Sequence, residues 1–261
     1  MNKLAFIGLG NMGKAIASGL VRGGAIAAEN CWGYDPYTEG LNAFCTETGI
    51  HACASAQEAI AHADTVLIAV KPYVIEGVLA NLKQDLAGKA LISVALGYSY
   101  ERLSPLVDAQ TRVQFVMPNT PAMVGQGVMI FEQSYSLAEE ERAEIMEKFK
   151  VLGIVEQLPS HLMGIGGCIS GCGPAFCAMI IEALADAGVK YGLPRPTAYR
   201  LASKTLSGTG AMQLITGQHP GAMKDAVCSP AGSTIRGVEA LERSGLRAAL
   251  LDAIQATMEF K

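Results

Sequence analysis

Half of the 261 residues are hydrophobic and 17% are charged, so the chain can bury two cores and is neither disordered nor fibrous. Lys and Arg total 20 against 24 Asp and Glu, a net charge of −4, and no basic cluster interrupts that balance, which excludes a nucleic-acid partner. The seven cysteines are odd in number, form no CxxC pair and have no metal-finger spacing; they read as reduced, buried thiols, and no metal is expected.

In chain order, Leu4-Ala5-Phe6-Ile7 is a continuous apolar run suited to a parallel strand buried on both faces. The run turns through Gly8-Leu9-Gly10-Asn11-Met12-Gly13 into small and apolar residues at helical spacing that reach Gly24. In such a strand-turn-helix, Gly8 permits the tight turn, Gly10 admits a pyrophosphate close to the backbone, and Gly13 lets helix and strand approach. The free N–H groups that open the helix then face the phosphates, so Gly8 to Met12 are assigned to a dinucleotide cofactor. A second strand over Asn30 to Tyr34 ends at Asp35, about twenty residues past the motif, where an acid can bind the ribose diol of NAD. The other reading of Asp35 is a turn residue before Pro36.

Two more aliphatic strands, Thr65 to Val70 and Ala90 to Val94, stop at Lys71-Pro72 and Ala95-Leu96. Ligands of an open parallel sheet gather beyond the carboxyl ends of its strands, so Ala69, Val70, Lys71, Pro72, Val94, Ala95 and Leu96 are expected to border the cofactor. A strand over Gln114 to Met117 closes on Pro118-Asn119-Thr120-Pro121, a proline-pinned polar loop suited to substrate or nicotinamide contact, with Asn119 as the substrate ligand. Two short strands, Val128 to Phe131 and Ile154 to Leu158, flank an acidic amphipathic helix from about Leu137 to Lys150 and complete a first domain, residues 1–160.

From His161 strand signals disappear, and residues 161–261 read as a helical domain. Helices are expected over Pro174 to Gly192 after a glycine-rich stretch, Arg195 to Thr216, Ser233 to Arg243 and Leu246 to Phe260. The first is apolar nearly all round, so a second subunit is expected to cover it, hiding Met179, Ile180, Ile181, Leu184 and Val189. Strand signal near the N-terminus leaves no signal peptide, and the strongest apolar helical run, Pro174 to Ile181, is short of a bilayer span; a cytoplasmic protein without a membrane partner is expected. The loop Ser229-Pro230-Ala231-Gly232-Ser233-Thr234 leads into a helix, so its N–H groups and hydroxyls can converge on an anion. Ala231 is tolerable there only at negative φ, because Ala at positive φ costs about 1 kcal/mol or more.

Five segments in register carry a family resemblance: Gly8 to Gly13, Ala69 to Pro72, Met117 to Pro121, Ser170-Gly171-Cys172-Gly173-Pro174-Ala175, and Ser229 to Ile235. Together with His219-Pro220-Gly221 they resemble pyrroline-5-carboxylate reductase over the whole chain. The resemblance implies an α/β fold with an N-terminal Rossmann-type parallel sheet domain, an all-helical dimerisation domain interlocked with its twin, and reduction of 1-pyrroline-5-carboxylate to L-proline by NADH or NADPH. Ser229, Gly232 and Ser233 are then expected to hold the substrate carboxylate and Thr234 to be the catalytic contact to the ring nitrogen. The carboxylate of Asp35, with no Arg or Lys before the following helix to offset it, is expected to favour NADH over NADPH. Four positions depart from the family pattern: Phe115 for arginine, Cys172 for serine, Phe176 for tyrosine and Ala231 for glycine. A reductase of a related cyclic imine and a non-catalytic nucleotide-binding protein are the alternatives, with a 3-hydroxyacid dehydrogenase. That last class relies on a lysine soon after a glycine-rich turn, whereas the first lysine after Gly173 is Lys190.

Overall fold

The structure, a computed structural model, describes residues 1–259. Its first compact unit runs from Met1 to Gly171 and is built on one eight-stranded sheet. The elements in order are β1 (Leu4–Ile7), α1 (Asn11–Arg22), β2 (Cys31–Tyr34), α2 (Thr38–Thr48), β3 (His51–Ala52), α3 (Ala56–Ala61), β4 (Thr65–Ile68), α4 (Ile75–Leu82), β5 (Ala90–Ser93), α5 (Tyr100–Leu103), β6 (Arg112–Met117), β7 (Gly127–Tyr135), α6 (Glu139–Phe149), β8 (Gly153–Leu158) and α7 (Met163–Gly167). The strand order is β3-β2-β1-β4-β5-β6-β7-β8, with β6 and β7 antiparallel and every other neighbouring pair parallel. This is a doubly wound sheet whose order reverses at β1, so that the ends of β1 and β4 open a crevice.

Period-two alternation decides which face each strand residue serves. Leu4 and Phe6 join Ile16, Leu20, Phe131 and Phe149 in one core, while Ala5 and Ile7 join Val66, Ile68, Leu79 and Leu91 in the other. Each such fully buried Phe, Leu or Ile contributes roughly 1.5–3 kcal/mol of transfer free energy. Phe115 is part of the second core, where an apolar ring fits. Two charged residues are also buried, Glu132 of β7 and Arg142 of α6. Glu132 Oε2 accepts from the Tyr100 amide at 2.6 Å, and Arg142 donates to Gln114 Oε1 at 2.8 Å, to Gln157 Oε1 at 2.7 Å and to the Glu132 carbonyl at 3.3 Å. That set of bonds lets an otherwise acidic helix lie against the sheet.

The second unit runs from Cys172 onward. It follows a π-turn (Cys168–Cys172) and comprises α8 (Gly173–Lys190), α9 (Arg195–Thr216), α10 (Pro220–Ala226), α11 (Ser233–Arg243) and α12 (Leu246–Met258). Phe260, the expected last residue of the final helix, lies outside the described residues. The segment 160–171 stays with the first unit because Met163 is buried in the core that also holds Met117 and Ile130.

Within its own chain α8 buries only Ala185, which meets Ala198 and Ala202 of α9. Met179 is 68% exposed and Leu184 50%, and α11 and α12 have no buried residue. The helical run Ser160–Lys190 is, by length and composition alone, long and apolar enough to cross a membrane, which corrects the expectation of a run too short to do so. The sequence reading broke that run at the glycine cluster, but Gly166, Gly167 and Gly171 are helical. All seven cysteines are free; only Cys31, Cys45 and Cys53 are buried, so four of the expected buried thiols reach the surface at least in part. Burial pushes the Cys31 thiol up to about 12, well outside any reactive range.

Candidate cofactor cleft and substrate loop

The glycine turn is fixed by what side chains would meet there. Gly8 has φ 94, and a Cβ on it would lie 2.8 Å from the Ala69 carbonyl oxygen. One on Gly13 would lie 2.1 Å from the Gly8 carbonyl oxygen, so β1, the turn and α1 pack at backbone distance. A Cβ on Gly10 would meet nothing within 4 Å: it would stand in the space that a phosphate needs. Gly10 is also the N-cap of α1 and no side chain caps the helix, which leaves its first amides free for an anion. The residues present therefore fit a dinucleotide.

Beside the turn lies a cleft of about 620 Å³. Gly8, Gly10, Asp35, Ala69, Val70 and Lys71 line it as expected. Tyr73, Val74, Val78 and Asn81 line it as well, from the 3-10 turn and helix after Pro72, and sequence reasoning missed them because α4 shows no motif. Leu9, Asn11, Met12, Pro72, Val94, Ala95 and Leu96 are not on its wall. Leu9 is corrected most firmly: its side chain is in the core and its amide donates to Asp35 Oδ2 at 2.7 Å, so neither is free for a phosphate. Ala95 is buried, whereas Leu96 is 65% exposed. Asp35 forms part of the wall, and its Oδ1 accepts from the Tyr37 amide at 2.9 Å, the local bond of a turn residue.

The loop after β6 is not an open polar tip. Asn119 is 6% exposed, its Nδ2 donates to the Ser170 carbonyl at 2.9 Å and its Oδ1 accepts from the Val128 amide at 2.9 Å. Both ends of the side chain are engaged within the protein, in place of the free substrate ligand expected.

In the second unit, Gly232 N donates to the Ser229 carbonyl at 2.9 Å, closing a turn with Pro230 second and Ala231 third. Ala231 has φ 59, the one positive φ outside glycine among the described residues, and this overturns the expected negative value. Proline second with a left-handed residue third is the signature of a type II turn, which normally takes glycine third. The Gly232 amide is consumed by that turn and is not free for a carboxylate, contrary to expectation. Gly232 is the N-cap of α11 without a side-chain cap bond, so neither Ser233 nor Thr234 acts as the cap. The hydroxyls of Ser229, Ser233 and Thr234 belong to exposed residues, and the first amides of α11 have no helical partner.

A reversed-order parallel sheet, a glycine cradle at a helix start and a cleft at its switch point define a dinucleotide-binding Rossmann-type protein, here carrying a helical second unit. Residues 3–97 match the family described as NADP oxidoreductase coenzyme F420-dependent, and residues 160–261 match pyrroline-5-carboxylate reductase dimerisation. The chain is 44% identical to pyrroline-5-carboxylate reductase of Treponema pallidum over 98% of each chain, and 38% identical to that of Escherichia coli over 98% of this chain and 96% of the other. A crystal structure of pyrroline carboxylate reductase of Plasmodium falciparum with NADP bound matches with a TM-score of 0.88 at 34% identity, over 99% of this chain and 96% of that one. The chain belongs to the pyrroline-5-carboxylate reductase family.

Proposed function

We propose that the chain reduces 1-pyrroline-5-carboxylate to L-proline, the last step of proline synthesis, with residues 1–160 binding a nicotinamide cofactor and residues 161–261 binding substrate and a second copy of the chain. Bound in the cleft, the reduced cofactor supplies a hydride for the imine carbon. The chain's own part is positioning and charge. The uncapped amides of α1 take the pyrophosphate, and Asp35, Ala69, Val70 and Lys71 wall the cofactor. Ser229, Ser233 and the first amides of α11 hold the substrate carboxylate, and the Thr234 hydroxyl accepts from the iminium N–H and stays within reach of the amine formed. No strong acid is needed, because the iminium is already the activated electrophile. The observation that carries this reading is the glycine cradle at the start of α1, where no Cβ stands at Gly10 beside the cleft, together with the hydroxyl-bearing turn that opens α11.

Asp35 favours NADH. Its carboxylate is held on the cleft wall by two backbone amides, where the 2′-phosphate of NADPH would meet like charge. At an effective dielectric of about 20, unit charges 4 Å apart repel by roughly 4 kcal/mol, and a third of that is already about tenfold in affinity. Two copies associate through α8, and the enzyme works in the cytoplasm. The test is oxidation of NADH and of NADPH by the purified protein with 1-pyrroline-5-carboxylate. We expect turnover with both and a higher kcat/KM with NADH. Absence of turnover with either removes the reductase reading, and NADPH equal or better removes the role given to Asp35.

A further inference from the structure

Asn119 ties the loop after β6 to β7, nine positions on, and to the π-turn, 51 positions on. Its carboxamide receives the amide of Val128, at the start of β7, and donates to the carbonyl of Ser170 inside the π-turn. The orientation is settled by the partners, since a flipped amide would set NH₂ against N–H and oxygen against carbonyl. The π-turn widens the helical ladder and leaves carbonyls out of register with the usual donors. Side chains serve two of these: Ser170 Oγ donates to the Gly166 carbonyl at 2.9 Å, and Asn119 takes Ser170's own.

The surrounding surfaces are cut to match. A Cβ on Gly167 would lie 2.1 Å from Met117 Sδ, and one on Gly166 would lie 2.5 Å from Leu158 Cδ1. The absent side chains of 166–167 are therefore the space into which Met117 and Leu158 fit. The segments Met117 to Asn119 and Gly166 to Ser170, separate in sequence, are two halves of one joint within the first unit.

We infer that Asn119 is a positioning residue for the reaction proposed above: it fastens the loop after β6 to the π-turn that leads into Gly171-Cys172-Gly173, and does not itself touch substrate. The inference rests on the reductase reading only for its effect on turnover. The joint itself is tested without ligand.

Hydrogen exchange of the free protein, compared between wild type, Asn119→Ala, Asn119→Asp and Gly167→Ala, reads the joint directly, and steady-state kinetics read its effect. In Asn119→Ala, exchange at Val128 and across 166–172 should rise roughly tenfold or more, as expected for a buried bond lost, while Gly8 to Gly13 keep their protection. Asn119→Asp keeps the acceptor for Val128 but turns an oxygen toward the Ser170 carbonyl, so its increase should be confined to 166–172. Gly167→Ala should open the same segment with Asn119 intact. All three should lower kcat with cofactor affinity unchanged. Unaltered exchange over 166–172 in Asn119→Ala, with a raised substrate KM, would mean that Asn119 binds substrate, and the inference fails. If Asn119→Ala does not fold, Asn119→Asp carries the same comparison. A wild type without reductase activity would cancel the kinetic arm alone.

Discussion

Thr234 stands second in α11 behind a cap residue that has no side chain, so its hydroxyl is not spent on helix capping. Thr234→Val keeps the shape and deletes that hydroxyl. It should lower kcat/KM by roughly 1–3 kcal/mol, the cost of leaving a polar partner unpaired, with NADH binding unchanged. Full activity in this variant, or weakened cofactor binding in its place, would assign the nitrogen to another group. Three residues earlier Ala231 is held at φ 59, where an L side chain costs about 1–2 kcal/mol that glycine does not. Ala231→Gly should therefore stabilise the protein by on the order of 0.5–1 kcal/mol after the larger unfolded-state entropy of glycine is subtracted. Denaturant titration checks this, and a loss of stability would mean that the turn is not left-handed at residue 231 in solution. Neither the sign of this φ, nor the Leu9–Asp35 bond, nor the engagement of Asn119 was legible in the sequence, because each depends on a partner 3 to 51 positions away.

At the scale of elements, the strands were legible wherever both faces are buried. β1, β4 and β5 are continuous aliphatic runs, buried throughout, and no amphipathic alternative competes. β3 was not legible, since it has two residues, His51 and Ala52, both exposed at the sheet edge. α10 was missed because its seven residues open on Pro220-Gly221, a turn signal, while the cap bond from Gly221 N to His219 Nδ1 at 3.0 Å that starts it carries no hydrophobic period. Tertiary ties between elements also set the response to acid. Arg112 of β6 grips Glu141 of α6 through two bonds, Nε to Oε2 at 2.8 Å and Nη2 to Oε1 at 2.9 Å. That grip holds the Glu141 carboxyl below its ordinary value of 4.5. A carboxyl lowered on folding stabilises the protein in full above its unfolded value and loses that contribution as pH falls through the folded one. Glu141→Gln should thus cost on the order of 1 kcal/mol or less at pH 7, given partial exposure, and nothing once the wild-type carboxyl is protonated. Stability curves of the two proteins from pH 7 to pH 3 should converge; a constant gap would show that the pair acts through packing instead.

For the molecule as a whole, the two units differ in how much apolar surface they hide by themselves. The first has cores on both faces of its sheet, whereas the second buries Ala185, Ala198 and Ala202 as its own cluster and leaves Leu201, Leu214 and Leu251 more than half exposed. Sedimentation at micromolar concentration should find two or more copies per particle, and a fully active monomer would refute association through α8. A second outcome follows from the same imbalance. Where a structure is completed by another copy of itself, its stability is set by mass action, and dilution alone acts as a denaturant. Calorimetry at protein concentrations a hundredfold apart should therefore move the melting of residues 172–259 upward with concentration. The sheet unit, which needs no neighbour for its core, should melt at a temperature indifferent to how many copies share the solution.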